Sequence, residues 1–316
     1  MNRKERWEKI AFYSAVLLLV GYVSSFLLEF SFLQWVATGD GKWRVESADD
    51  MSLAGFLFFI STIFFSIAPA FFYIPALLKT IRNEFPGWEA GVSGKYALYY
   101  FALYQVACGV ILILYMLFPY PWFSEQSLLG FVEGFLPQCL MVVFALFLFG
   151  GRLQDIGFVR PVKVKQLLFT VIFFYLFSTF LLDTIITVPI ADYFHFELDS
   201  WREEQISGEV LQAKSNSIVA GILEVLMVGL FVPVAEEVMF RGVLQTAIVR
   251  RFGAVAGVLG SSLLFGAIHV DPVLFPPLFA MGLMLGFLRH YYQSIWAAIF
   301  FHALNNTITV LIYFFQ

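Results

Sequence analysis

Long apolar runs separated by short charged links leave this chain few folds to choose from. It is 60% hydrophobic and 13% charged over 316 residues, against roughly 25% charged in an ordinary soluble domain. Its mean hydropathy is +0.82. A soluble fold of this length has too little interior to hide that much apolar surface, so lipid must solvate it. In lipid only helices and closed barrels satisfy their own backbone hydrogen bonds, and the runs approach the ~20 residues a spanning helix needs. The expectation is an all-α polytopic membrane protein with about nine transmembrane helices. The runs are Ile10–Val36, Leu53–Leu78, Tyr96–Phe118, Leu128–Phe149, Gln166–Ile190, Ile218–Val238, Ala254–Ile268, Leu274–Arg289 and Ile295–Phe315. The seventh and eighth are short.

Loop charge sets the orientation. With a cytoplasmic N-terminus, 15 of the 19 Lys and Arg fall at cytoplasmic ends, Arg3, Arg82, Arg241 and Arg289 among them; Lys42, Arg44, Arg202 and Lys214 lie outside. The outer links are acidic: Asp40 to Asp50 carries four acids and Asp192 to Glu209 six. The second reads as a solvated loop or a short surface helix, with His195 an ordinary loop histidine. The basic start followed by a long apolar run reads as a signal anchor retained as the first span. The chain is expected to be a multi-pass protein of a prokaryotic plasma membrane. A net charge of −4 gives no reason to expect nucleic acid. Cys108 and Cys139 read as small buried hydrophobes.

Against this background one pair of residues stands out. Glu236 and Glu237 lie in LFVPVAEEVMFRGVLQ, where a bilayer-buried carboxylate costs at least ~3 kcal/mol on insertion scales. Glu237 and Arg241 are four apart on one helical face and are expected to pair. Glu236 is turned away, with no partner on its own helix. Pro233 removes a backbone donor and invites a kink that admits water. The turn near Arg250 to Gly253 lies about midway between Glu236 and His269, so an antiparallel hairpin brings the two level, each ~25 Å from the turn. His302 and Asn306, also four apart, face one way on the last helix. A site below the cytoplasmic surface follows, with part of the hairpin protruding. Glu236 and His269 suit the deprotonation of a water. His302 and Asn306 suit donation to an oxyanion. Phe265, four before His269, packs along the same face.

Other polar groups read as structural: Glu29, Glu133, Glu224 and Asp183 as packing or folding devices, His290 as interfacial. Gly282 and Gly286 form a GxxxG spacing that suits close helix packing. There is no HExxH, GxSxG or P-loop. The loop Gly151 to Lys165 is the best boundary. It divides residues 1–150, a four-helix membrane region of unknown role, from 151–316, which holds every candidate catalytic residue.

The motifs Glu236-Glu237-Val238-Met239-Phe240-Arg241, Phe265-Gly266-Ala267-Ile268-His269 and His302-Ala303-Leu304-Asn305-Asn306 resemble, in order, the EExxxR, FxxxH and HxxxN signature of the CAAX protease and bacteriocin-processing (Abi) family. Gly242, Ser294-Ile295-Trp296 and the segment with Asp155-Ile156-Gly157-Phe158 and Arg160-Pro161 resemble the family pattern too. The four-residue spacing favours Asn306 over Asn305. The resemblance implies an intramembrane endopeptidase of the glutamate type, with Glu236 and His269 activating water, His302 and Asn306 forming the oxyanion hole, and Glu237, Arg241 and Phe265 in support. It implies no cofactor; zinc held by Glu236 and both histidines is the less favoured alternative. The partners it implies are the lipid bilayer and a peptide or lipidated protein substrate. Two other readings stay open: a non-catalytic scaffold or immunity protein of the same family, and a proton-coupled transporter.

Overall fold

The computed structural model describes residues 3–48, 50–84, 91–118, 121–124 and 127–316. Asp49, counted among the outer acids, lies outside them, as do the side chains of Arg3 and Arg82. The fold is an all-α membrane protein with a single two-stranded sheet among the described residues.

The first half contains α1 (Arg3–Phe30), α2 (Leu53–Ile67), α3 (Ala70–Glu84), α4 (Gly94–Leu117), α5 (Leu128–Gly134) and α6 (Leu136–Phe149). The second contains α7 (Val164–Phe180), α8 (Val188–Phe194), α9 (Trp201–Asn216), α10 (Ile218–Leu226), α11 (Val232–Glu237), α12 (Thr246–Phe252), α13 (Ala254–Ala267), α14 (Phe275–Tyr291) and α15 (Ile295–Phe315). By length and composition six helices are able to cross a membrane, or seven if the pair α7–α8, bent by 53°, counts as one span. Residues 218–252 form one continuous helix that α10, α11 and α12 share with two π-helical segments. At 14 and 17 residues, α13 and α14 are too short to count as spans, since a crossing needs ~20.

Two expectations need correction. The first helix stops at Phe30, and Leu33–Ala37 (β1) pairs antiparallel with Trp43–Ser47 (β2), Trp35 opposite Val45. Trp35 and Val36 therefore belong to a hairpin rather than to a span, and a short apolar run such as Trp35, Val36 and Ala37 suits a strand as well as a helix. Of the two readings of the acidic stretch after Asp192, the helix holds for its second half and the solvated loop does not. That half is α9, capped by Ser200, whose hydroxyl accepts from the Glu203 amide. Val210 of α9 is fully buried with Val225, Val310 and Phe314, and Lys214 Nζ donates to the Phe314 carbonyl at 2.5 Å. Arg289, counted among the basic groups at the cytoplasmic ends, is tied into the fold. Its guanidinium lies where a Cβ on Gly157 would stand, 2.7 Å away, and donates to Thr246 Oγ1 at 3.3 Å.

The supposed boundary loop is a packed floor. After a 3-10 turn at Gly150–Ile156, Gly157 adopts φ +94°, which glycine tolerates without strain. Its carbonyl accepts from the Ile295 amide at 2.8 Å, and Ser294 Oγ donates to the Val159 carbonyl at 2.5 Å. Ile156, buried beside Gly242, helps to close one end of the helix that carries the glutamates. One continuous buried core includes Tyr73 and Tyr100 from the first half and Met239 and Phe301 from the second.

The glycine seam positions the site. A Cβ on Gly282 would stand 2.9 Å from Ser262 Cβ and 3.0 Å from its Cα, so α13 and α14 touch backbone to backbone. In lipid, where no hydrophobic drive joins helices, such small residues allow the close packing that does. Gly282→Ala should therefore destabilise the fold by about 1–3 kcal/mol, the usual cost of overpacking. Thermal unfolding of the purified protein in detergent, compared with the exposed substitution Gly94→Ala, checks this.

Candidate active site

Two π-helical segments flank the glutamates, Met227–Phe231 before them and Val238–Gln245 after. Each widens the helix by a residue and re-aims the side chains beyond it, a device common at functional sites. Pro233 falls at the start of α11, right after the first segment, where its missing amide is absorbed without breaking the helix.

The expected pair forms. Arg241 Nη1 donates to Glu237 Oε1 at 3.2 Å, and both side chains are wholly shielded from solvent. Arg241 Nη2 donates to the carbonyl of Gly282 at 3.2 Å. The guanidinium carbon also lies 4.4 Å from the ring centre of Phe265, in cation–π contact. Three helices thus converge on one cation.

Glu237 does more than neutralise Arg241. Its Oε1 also accepts from His302 Nδ1 at 2.9 Å. This bond fixes the proton on Nδ1 and points Nε2 of His302 away, toward Glu236 Oε2 at 3.7 Å. The gap exceeds hydrogen-bond length. Glu236 is the more open acid, with 12% of its side chain exposed against none for Glu237. The two acids differ in kind: one is locked, the other reaches a surface.

His269 follows directly after α13. Its Nδ1 donates to the Phe265 carbonyl at 2.7 Å, since a carbonyl only accepts. Nε2 is left with its lone pair. His269 lies within electrostatic reach of Glu236 and His302. The Phe265 ring stands edge-on between the two imidazoles, 5.1 Å from His269 and 5.7 Å from His302, and packs on Phe240 at 5.4 Å. The structure therefore gathers Glu236, Glu237, Arg241, Phe265, His269 and His302. Asn306 sits a turn further along α15, where its Nδ2 faces the Val228 carbonyl at 3.5 Å. Asn305 points elsewhere, accepting from Ser178 Oγ of α7 at 3.2 Å.

Several supporting residues escape a reading of the sequence alone. Gln245 Nε2 donates to the Gly286 carbonyl at 2.9 Å, repeating one turn on what Arg241 does at Gly282. The spacing of four between Arg241 and Gln245 matches that between Gly282 and Gly286, a coincidence the sequence displays. Asp271, buried beside His269, closes the turn before α14 by accepting from the amides of Val273 and Leu274 at 2.8 and 3.1 Å. Its other oxygen accepts from Ser200 Oγ at 2.7 Å, which ties the head of α9 to the turn carrying His269. The Asp-Pro pair ahead of an apolar run is a helix-start signal. Of the acids read as structural, Glu133 accepts from the amides of Trp122 and Phe123 at 3.1 and 3.2 Å, and Asp183 accepts from Thr187 Oγ1 at 2.9 Å.

Removing one member of a buried ion pair strands the other and costs about 3–5 kcal/mol. Arg241→Met should destabilise by that order. The double variant Glu237→Gln/Arg241→Met should recover part of the loss, because it leaves no uncompensated charge. Unfolding midpoints of the single and double variants in one detergent measure the coupling.

Comparison with known proteins agrees with the motifs. Residues 218–308 match the family described as Type II CAAX prenyl endopeptidase Rce1-like. A Bacillus subtilis protein described as "Putative membrane peptidase YdiL" is 31% identical over 103 residues, which is 33% of this chain. The match spans 42% of that relative's length. No solved structure matches. Over residues 218–308 the chain is thus similar to the Rce1-like CAAX prenyl endopeptidase family.

Proposed function

We propose that this protein is an intramembrane endopeptidase in which Glu236 and His269 activate a water for attack on a peptide bond. The observation that carries the reading is the unequal treatment of the two acids. Glu237 is held by Arg241 and His302, while Glu236 keeps an exposed edge facing His302 and lies within reach of His269.

The roles follow from the hydrogen bonds. Glu236 takes a proton from water as the oxygen attacks the carbonyl carbon. The lone pair on Nε2 of His269 is free to hold that water, because its other nitrogen is committed to the Phe265 carbonyl. His302, bound at Nδ1 by Glu237, donates from Nε2 to the developing oxyanion. Donation from both nitrogens uses the two N–H groups of the imidazolium form. Asn306, one turn along the same face, is the second donor once its weak contact with Val228 is exchanged for substrate. The departing amine takes the proton back from Glu236. A fixed donor aimed at developing charge commonly supplies ~2.7–4 kcal/mol to such a step.

No metal enters this scheme. A zinc held by Glu236, His269 and His302 would need Nε2 of His302 as a ligand and would cost the oxyanion its first donor. The substrate is a peptide or lipidated protein reached within the bilayer, and the catalytic face lies toward the cytoplasm, the side to which the basic links assign the turn at Gly253.

Cells carrying wild type and Glu236→Gln, compared by proteomics of cleaved peptides, test the reading. Peptide ends present only with wild type are expected, and His269→Ala should lose the same ends. His302→Ala and Asn306→Ala should each lower turnover by about 10²–10³-fold. Unchanged cleavage by a folded Glu236→Gln protein would sink the proposal. Dialysis against a strong chelator should leave activity intact; loss restored by zinc alone would favour the metal reading.

A further inference from the structure

Away from the catalytic cluster, α7 and α14 diverge to form an open groove with a volume of about 680 Å³. Along its length it is aromatic, walled by Phe169, Phe173, Phe174 and Phe287. Phe169 and Phe173 are more than half exposed. At one end the character changes. Lys165, Gln166 and the Tyr291 hydroxyl line the groove there, and Thr170 Oγ1 and Tyr292 Oη share a hydrogen bond of 2.7 Å at its base.

The polar end is built, not incidental. Lys163 precedes α7 in a left-handed conformation, φ +53°. The neighbouring Val162 amide is anchored on the Tyr292 carbonyl at 3.2 Å. Lys163 Nζ then lies 4.6 Å above the Tyr291 ring and donates to the Tyr291 hydroxyl at 3.1 Å, with two donor positions left over. The exposed Lys165, second residue of α7, adds a second ammonium group. The first amides of α7, a helix of 17 residues, open toward the same end and carry the positive pole of its dipole. Apolar walls ending in two ammonium groups and free amides have the polarity of one kind of molecule: an acyl chain joined to an anionic phosphate.

We propose that this groove binds an anionic phospholipid, its phosphate held by Lys163 and Lys165 and its acyl chain lying on Phe169 and Phe173. Basic pockets between membrane helices hold anionic headgroups by this combination of charge and apolar contact. The site has a structural reach beyond its own walls. Phe174 packs on Phe287 of α14 and on Phe301 of α15, each at 5.9 Å, and Phe301 directly precedes His302. A bound lipid thus sets the spacing of α7, α14 and α15 next to the catalytic cluster.

The test uses the full chain reconstituted in vesicles of equimolar phosphatidylcholine and phosphatidylglycerol, with retained lipid read by native mass spectrometry. Phosphatidylglycerol should be retained over phosphatidylcholine by roughly tenfold, the order expected of two ammonium groups at a membrane surface. Lys163→Gln/Lys165→Gln should abolish the preference. Phe173→Trp, which narrows the groove, should reduce retained lipid of both kinds. Lys79→Gln, which removes a basic group elsewhere that lies over Trp7, should change nothing. Equal retention of the two lipids by wild type, or a preference that survives the double lysine substitution, would overturn the proposal. So would an equal loss with Lys79→Gln, which would mark general surface charge. Because the readout is lipid, its outcome is independent of whether the protein cleaves peptides.

Discussion

A guanidinium with no access to water organises this bundle. Arg241 is 0% exposed, and an unpaired charge in that setting costs several kcal/mol. The cost is met from three directions: the Glu237 carboxylate on its own helix, the Gly282 carbonyl on α14 and the Phe265 ring on α13. Each contact demands a particular distance between helices. The glycines of α14 allow the approach, and the Phe265 ring sets the width. His302 then joins from α15 by bonding to the oxygen that Arg241 already holds. The candidate catalytic groups are thus spaced by the requirements of a cation to which the proposed chemistry gives no step.

The two glutamates illustrate how one environment makes unlike groups of neighbours. Adjacent on a helix, they differ by about 100° in direction. That turn puts Glu237 into the Arg241 and His302 network and leaves Glu236 at an opening. The division was legible in the sequence because helical geometry alone aligns Glu237 with Arg241. The second tie of Glu237, to His302, was not, because it depends on how α15 crosses the hairpin. Residue spacing specifies faces within a helix but carries no information about which face of a distant helix arrives there.

The same boundary explains the other hits and misses. Apolar composition was sufficient for an all-α membrane fold, and the motifs were sufficient to locate the cluster. The strand Leu33–Ala37 was hidden because Leu33, Trp35 and Val36 are apolar enough to extend the preceding helix. The docking of α9 was hidden because WREEQISGE looks like a solvated segment; only Ser200, bonded to Asp271 and capping Glu203, betrays how firmly its head is held. The pairing of Arg241 and Gln245 with Gly282 and Gly286 was written in matching intervals of four, but a glycine carbonyl leaves no mark in a residue code.

The Arg241–Gly282 bond also bears on how the protein is made. Its partners are 41 residues apart, so ribosomal synthesis delivers the arginine long before the carbonyl that helps to bury it. Until α13 emerges, Arg241 has only Glu237 at hand; the Phe265 face comes next, and the Gly282 carbonyl last. The low-energy place for it in that interval is at the aqueous edge of the bilayer. Full burial of Arg241 therefore requires α13 and α14 to have packed against the helix from Ile218 to Phe252, and the late-made glycine seam supplies the last of its partners.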